Sequence, residues 1–229
     1  MALPKVVHPT KKIKIPSLNI EAEFEPFTTA DEKAIVLLDK DSSLYEKSMM
    51  QLKILQKCCK DEIDFEKLSA IEITYLFLQL RKISVGGALE LNATCPNCNN
   101  EISLSVDIDL ITFDATNLAP LKFTIQTEDG PYIVVCSQFI VDDLKYIDDE
   151  HSSMDAAAMV LRSMMSPDGN DVIEFTHDEK IELFNQLNST DAMKIVDYIN
   201  KSPVLQKDLT IKCDECDHEF KGELKDFFI

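Results

Sequence analysis

Two short cysteine knuckles constrain this chain more than any other feature: Cys95-Pro96-Asn97-Cys98 near its middle and Cys213-Asp214-Glu215-Cys216 near its end. Each lies between runs that alternate as β-strands do. Ala88–Leu91 and Glu101–Val106 flank the first, Leu209–Lys212 and Glu219–Gly222 the second. Two Cys-x-x-Cys pairs supply the four thiolates of a closed tetrahedral zinc site. The spacing inside each pair is that of a zinc knuckle, but a compact zinc ribbon separates its pairs by only about 15–20 residues. More than a hundred intervene here, so a shared site is an inference, with separate use of the two pairs as the alternative. A thioredoxin-type redox motif stands where a strand runs into a helix; neither knuckle is followed by a helical pattern. Four thiolates would leave no open position for a substrate or an activated water, so a metal bound by Cys95, Cys98, Cys213 and Cys216 is expected to be a structural zinc ion.

The remaining three cysteines, Cys58, Cys59 and Cys136, end a helical and a strand pattern and read as buried, inert thiols. No apolar h-region follows Met1, and no apolar run approaches the length of a membrane span. The expected compartment is a reducing cytoplasm, where paired cysteines hold metal sooner than disulfides. A net charge of −18, with 23 Lys+Arg against 41 Asp+Glu, argues against binding nucleic acid or anionic lipid.

Along the chain, residues 1–10 read as a loose arm. Residues 12–15 and 20–25 alternate around Pro16–Asn19 as a β-hairpin. Thr29 to Glu32 reads as a capping box opening a helix to about Leu38, and a second helix is expected from about Ser43 to Cys59. Ser69 and Glu72 form another such box. The helix after it, Ile71 to Ile83, is apolar nearly all round and should be the most buried. Gly86-Gly87 ends it, and the first knuckle hairpin follows. Residues 106–110 alternate, and 121–127 and 132–136 form a hairpin. Helices are expected over 141–148, 153–165, 178–187 and 190–200, with Ser152/Asp155 and Thr176/Glu179 as starting signals. The order predicts an α+β fold: an N-terminal β-hairpin and helices, β-hairpins, a second helical group, and two knuckle hairpins joined in one zinc-ribbon-like site. A single domain over 11–229 is expected, with sub-units 11–116 and 117–229 or a cut near Val141.

Phosphate loops, dinucleotide fingerprints, His-Glu-x-x-His and Gly-x-Ser-x-Gly are absent from the sequence. Of the four histidines, His8 lies in the arm, His151 precedes a helix, and His177 sits in a capping box with exposure expected. His218, just past Cys216, reads as a neighbour of the metal or a solvated group. The acidic clusters 142–143, 148–150 and 214–215 read as solvated. The residues alone therefore point to a non-enzyme.

Ile15-Pro16-Ser17, Pro26-Phe27 and Asp31-Glu32-Lys33, then Ile63-Asp64, Leu68 and the run Tyr75-Leu76-Phe77-Leu78-Gln79-Leu80-Arg81-Lys82-Ile83-Ser84-Val85-Gly86 leading to Cys95-x-x-Cys98, resemble the baseplate hub assembly proteins of T-even-type tailed phages. The likeness spans roughly residues 12–110. Glu25 departs from it, standing where that family is associated with a basic residue before Pro-Phe. The resemblance implies a non-enzymatic assembly factor or chaperone that binds phage baseplate hub proteins in the host cell cytoplasm. The alternative it leaves is a structural subunit of the virion baseplate hub. A metal- or thiol-dependent enzyme and a nucleic-acid-binding zinc ribbon are the contrasting classes.

Overall fold

The computed structural model describes residues 6–38, 42–115, 117–147, 153–206 and 208–223. It is α+β throughout, and the chain divides into two compact units. The first runs to Asp114 and resumes at Val204; the second spans Ala115–Pro203.

The first unit opens with a hairpin of β1 (Lys11–Ile15) and β2 (Ile20–Phe24), whose alternation buries Ile13, Ile15, Ala22 and Phe24 on one face. Asn19 closes the turn at φ 51°, the left-handed region that Asn tolerates. Helix α1 (Thr29–Val36) follows, but its capping box is one residue earlier than the sequence predicts. Thr28 donates through its backbone N–H (2.9 Å) and its hydroxyl (2.7 Å) to the Asp31 carboxylate, which Lys57 of α2 (Leu44–Cys58) also grips at 2.7 Å. That second partner decides between Asp31 and Glu32 as the reciprocal acid.

Helix α3 (Ala70–Val85) is the buried helix of this unit, with Ile73, Leu76, Phe77, Leu78 and Leu80 all enclosed. Only half of its expected capping box forms. The Ser69 hydroxyl accepts from the Glu72 N–H, but the Glu72 carboxylate turns to the hairpin and accepts from the Ser17 N–H at 2.8 Å. Glu72 is fully buried, and its second oxygen has no hydrogen-bond partner. Burial pushes its carboxyl above the ordinary 4.5, with the Ser17 hydrogen bond pulling the other way. A raised acid holds its proton longer in the folded than in the unfolded chain. Stability should therefore fall as pH rises from about 4.5 through the folded-state value, by ~1.4 kcal/mol for each pH unit of that window. Glu72→Gln should flatten this slope in urea midpoints measured across pH; an unchanged slope would assign it to another group.

After α3, β3 (Ala88–Thr94) and β4 (Glu101–Asp107) form the first knuckle hairpin, in register from Ala88↔Asp107 to Thr94↔Glu101. Arg81 anchors its base by donating to the Gly86 and Ala88 carbonyls. The alternation expected to 110 stops at Asp107, whose carboxylate accepts from the Asp109 N–H and turns Ile108–Leu110 into a 3-10 helix. The two-residue strand β5 (Thr112–Phe113) then precedes the second unit.

That unit holds β6 (Leu121–Thr127) and β7 (Gly130–Cys136), the predicted hairpin, within a four-stranded antiparallel sheet of order β6-β7-β8-β9. Here three sequence expectations need correction. The helix expected at 141–148 is a 3-10 segment over Val141–Tyr146, closed when the Asp143 carboxylate accepts from the Ile140 N–H. The helix expected at 153–165 is α4 (Ser153–Ala158) only; Leu161–Met165 is strand β8 against β7. Leu161, Met164 and Met165 around Arg162 and Ser163 do not fix a period, and sheet pairing with burial of Leu161 decides for the strand. Residues 166–170 form a hairpin turn into a strand that the sequence does not predict, β9 (Val172–Glu174), paired with β8. Helices α5 (His177–Gln186) and α6 (Ser189–Asn200) lie where predicted, and the Thr176/Glu179 box is formed. Phe123, Val134, Leu161, Phe184 and Ile195 build this unit's own core. Residues 148–152, with the acidic run, His151 and the Ser152 signal, lie outside the described residues, as do 1–5 of the arm.

The chain returns to the first unit through β10 (Leu205–Gln206), which pairs antiparallel with β5, then β11 (Asp208–Lys212) and β12 (Glu219–Glu223), the second knuckle hairpin. Among the described residues no helix is long and apolar enough to cross a membrane.

Candidate metal centre

The β5–β10 pairing accounts for the long separation between the knuckles. Leu205 stands opposite Phe113, Gln206 opposite Thr112, and the Asp114 N–H donates to the Val204 carbonyl at 3.2 Å. Residues 115–203 thus leave and re-enter at adjacent points. The polymer to be ordered between Cys98 and Cys213, 115 positions apart in sequence, reduces to the stretches 98–113 and 205–213. Loop-closure entropy over such lengths is modest.

The two knuckles have the same local build. The Cys95 N–H donates to the Asn100 carbonyl and the Asn99 N–H to the Cys95 carbonyl, each at 2.9 Å. In the second knuckle the Cys213 N–H donates to the His218 carbonyl (2.9 Å) and the Asp217 N–H to the Cys213 carbonyl (3.0 Å). The residue after each second cysteine is left-handed, Asn99 at φ 59° and Asp217 at φ 57°. Asn and Asp are the non-glycine residues that adopt this conformation most readily. Each knuckle leads into a strand, so the redox alternative lacks its helix.

All four sulfurs lie within 4.8 Å of one another. Between knuckles, Cys95 lies 3.7 Å from Cys216 and Cys98 lies 3.6 Å from Cys213, sulfur to sulfur. A tetrahedral ion with metal–sulfur bonds of ~2.3 Å requires sulfurs about 3.8 Å apart. The first cysteine of each knuckle, Cys95 and Cys213, is fully buried; Cys216 is half-buried and Cys98 exposed. Leu78, Leu91, Ile102, Val106 and Ile211 pack beneath them, tying the centre to α3 and both hairpins. Among the described residues this is the one group of side chains that could hold a metal ion. A soft S₄ set suits zinc or iron and not the oxygen-preferring cations.

Without a cation the thiols compete for protons. The Asn97 side chain, followed by the His218 backbone amide, holds Cys216 down to about 6. At Cys98 the Asn100 backbone amide pulls downward, but proton sharing with Cys216 and the other sulfurs pushes the thiol up to about 12. A dication at the centre favours four thiolates at once.

The structure brings together the four cysteines that the sequence nominated, whose joining the sequence left as an inference. The sequence reading missed Asn97 and Asn100, the latter's amide 4.0 Å from the Cys213 sulfur; an Asn before or after a knuckle cysteine is the only signal for them. His218 is exposed, stacks on Phe220 at 6.2 Å and contributes its carbonyl to the knuckle. The other cysteines stand apart. Burial pushes Cys58 up to about 11 and Cys136 up to about 12, while Cys59, expected to be buried, is partly exposed and donates to the Asp61 carbonyl. His177 is less exposed than expected, stacking on Tyr146 at 3.7 Å.

Compared with known proteins, residues 8–229 match a family model described as T4 bacteriophage base plate protein. No curated protein and no solved structure matches the chain.

Proposed function

The chain belongs to the T4 bacteriophage base plate protein family, and from that premise we propose that it is a non-enzymatic assembly factor of the phage baseplate hub, folded around one structural zinc ion. The family ties the protein to the phage baseplate and to other baseplate proteins as partners. Within that setting, the observation that carries the proposal is the closed thiol cluster of Cys95, Cys98, Cys213 and Cys216. Four thiolates fill a tetrahedral ion, so the metal holds strands together and has no position for a substrate. Zinc is preferred to iron because d¹⁰ zinc imposes no redox chemistry on a structural role. A net charge of −18 suits transient binding to hub subunits through basic faces, in the host cytoplasm where the baseplate is built.

Fractionation of infected cells tests this reading against a permanent baseplate subunit. An assembly factor should co-purify with hub intermediates and be missing from purified particles. A fixed copy number per particle would establish the structural role instead. Elemental analysis of the purified protein should give one zinc per chain.

A further inference from the structure

Strand β9 is the outer strand of the second unit's sheet, and among the described residues nothing pairs with its free side. The ladder fixes which groups face outward. The Phe175 N–H donates to the Arg162 carbonyl and the Ser166 N–H to the Asp171 carbonyl, so odd-numbered positions bond to β8, with Ile173 opposite Met164. The N–H and C=O of Val172 and Glu174 therefore point away from the sheet. Natural sheet edges are blunted by lysine, proline or an inward charge. This one carries none of these, and instead exposes Val172 (55%) and Ile173 (42%).

Its surroundings carry one sign of charge. No Lys or Arg occurs between Arg162 and Lys180, whereas Asp171, Glu174, Asp178 and Glu179 are exposed in that stretch. Arg162 and Lys180 themselves turn inward to Asp143. A second copy pairing antiparallel at this edge would bring acid against acid.

We propose that β9 is a docking edge for an extended, lysine- or arginine-rich segment of another protein, which adds as a fifth strand. The outward N–H and C=O groups of Val172 and Glu174 supply the main-chain bonds, the exposed Val172 and Ile173, on opposite faces of the strand, each offer apolar contact to a side chain on their own face, and the flanking carboxylates select positive charge. This rests on the second unit alone and stands apart from the metal and the assembly role.

The full chain is titrated with a synthetic peptide of about ten residues alternating Lys and Val, a usual strand length. Controls are the Glu/Val analogue and a Lys/Val peptide interrupted by proline. Binding should weaken with salt, and the Val172 and Glu174 amides should gain protection from hydrogen exchange while Ile173, already paired, changes little. Val172→Pro removes an outward donor and no bond to β8, and should weaken binding about tenfold. Asp171→Asn with Glu174→Gln should reduce the salt dependence without affecting the fold. Equal binding of the proline-interrupted peptide, an undiminished affinity in Val172→Pro, or no binding would each overturn the proposal. Protection of the same amides that grows with protein concentration alone would replace it with self-pairing.

Discussion

Removing the metal, by chelation or by Cys213→Ser, is expected to abolish amide protection at Leu78, Leu91, Ile102 and Ile211 while Val134, Leu161 and Ile195 keep theirs. The first group shares one buried core with Cys95 and Cys213, and the second forms a separate core within residues 115–203. Structural zinc binding is worth on the order of 10 kcal/mol gross in small zinc peptides, against a total domain stability of about 5–15 kcal/mol. Its loss is therefore comparable with everything that holds the first unit together. On the proposal that Cys95 and Cys213 hold one ion, Cys95→Ser, Cys213→Ser and the double variant should be destabilised by similar amounts. Separate sites would give effects that add. Acid should mimic chelation. The metal-bound centre holds fewer protons than the free thiols, so affinity and occupancy fall as pH falls. Two independent melting steps, with only one responding to the cysteine substitutions, is the expected calorimetric signature. A chelated protein that melts with the native one would leave the cysteine cluster without a structural role.

How much of this was legible in the sequence follows from the range of the forces involved. Short-range signals were readable: the knuckle spacing, the β1–β2 alternation, the apolar α3 and the Thr176/Glu179 box each act within a few residues. The junction that makes the two knuckles neighbours was not. β5 and β10 are two residues each, far below what periodicity can detect, and their pairing exists only because the second unit returns its ends to one place. The strand at Leu161–Met165 shows the same limit. Five residues, with Leu161, Met164 and Met165 around Arg162 and Ser163, are too few to fix a period, and the partner strand β7, not local preference, settles it. Charged residues misled in a different way. Asp142-Asp143 reads as one solvated pair, yet the Asp143 side chain is 5% exposed and Asp142 is 60% exposed. Asp142 pairs with the neighbouring Lys145, whereas the cations that hold Asp143 lie at positions 162 and 180, beyond the reach of local composition.

Asp143→Ala should consequently destabilise the second unit by about 3–5 kcal/mol, the range for deleting one member of a buried ionic group. The Asp143 carboxylate receives two bonds from the Arg162 guanidinium, at 2.6 and 3.1 Å, and one from Lys180 at 3.3 Å, besides capping Ile140. Arg162 also donates to the Ser137 hydroxyl and to the Gln138 and Met159 carbonyls, so its position joins the end of β7 to β8. Without the carboxylate, two half-enclosed cations face each other. Burial already pushes Lys180 below its ordinary 10.5, with Asp143 opposing that push and Arg162 adding to it. Deleting Asp143 removes the opposing influence. A lysine lowered in the fold means that the unfolded chain binds more protons between the folded value and 10.5, so stability rises with pH across that window. The deficit of Asp143→Ala should therefore be largest at neutral pH and shrink in alkali as Lys180 loses its proton. Asp143→Asn keeps an acceptor for the Ile140 N–H but not the charge, and should retain part of the loss with the same pH trend. Adding Lys180→Met to Asp143→Ala removes the second cation and should recover stability at neutral pH while erasing the trend. Urea midpoints of these variants between neutral and alkaline pH provide the measurement. A deficit that stays constant with pH, or fails to respond to Lys180→Met, would mean that Asp143 acts only as the cap of its 3-10 segment.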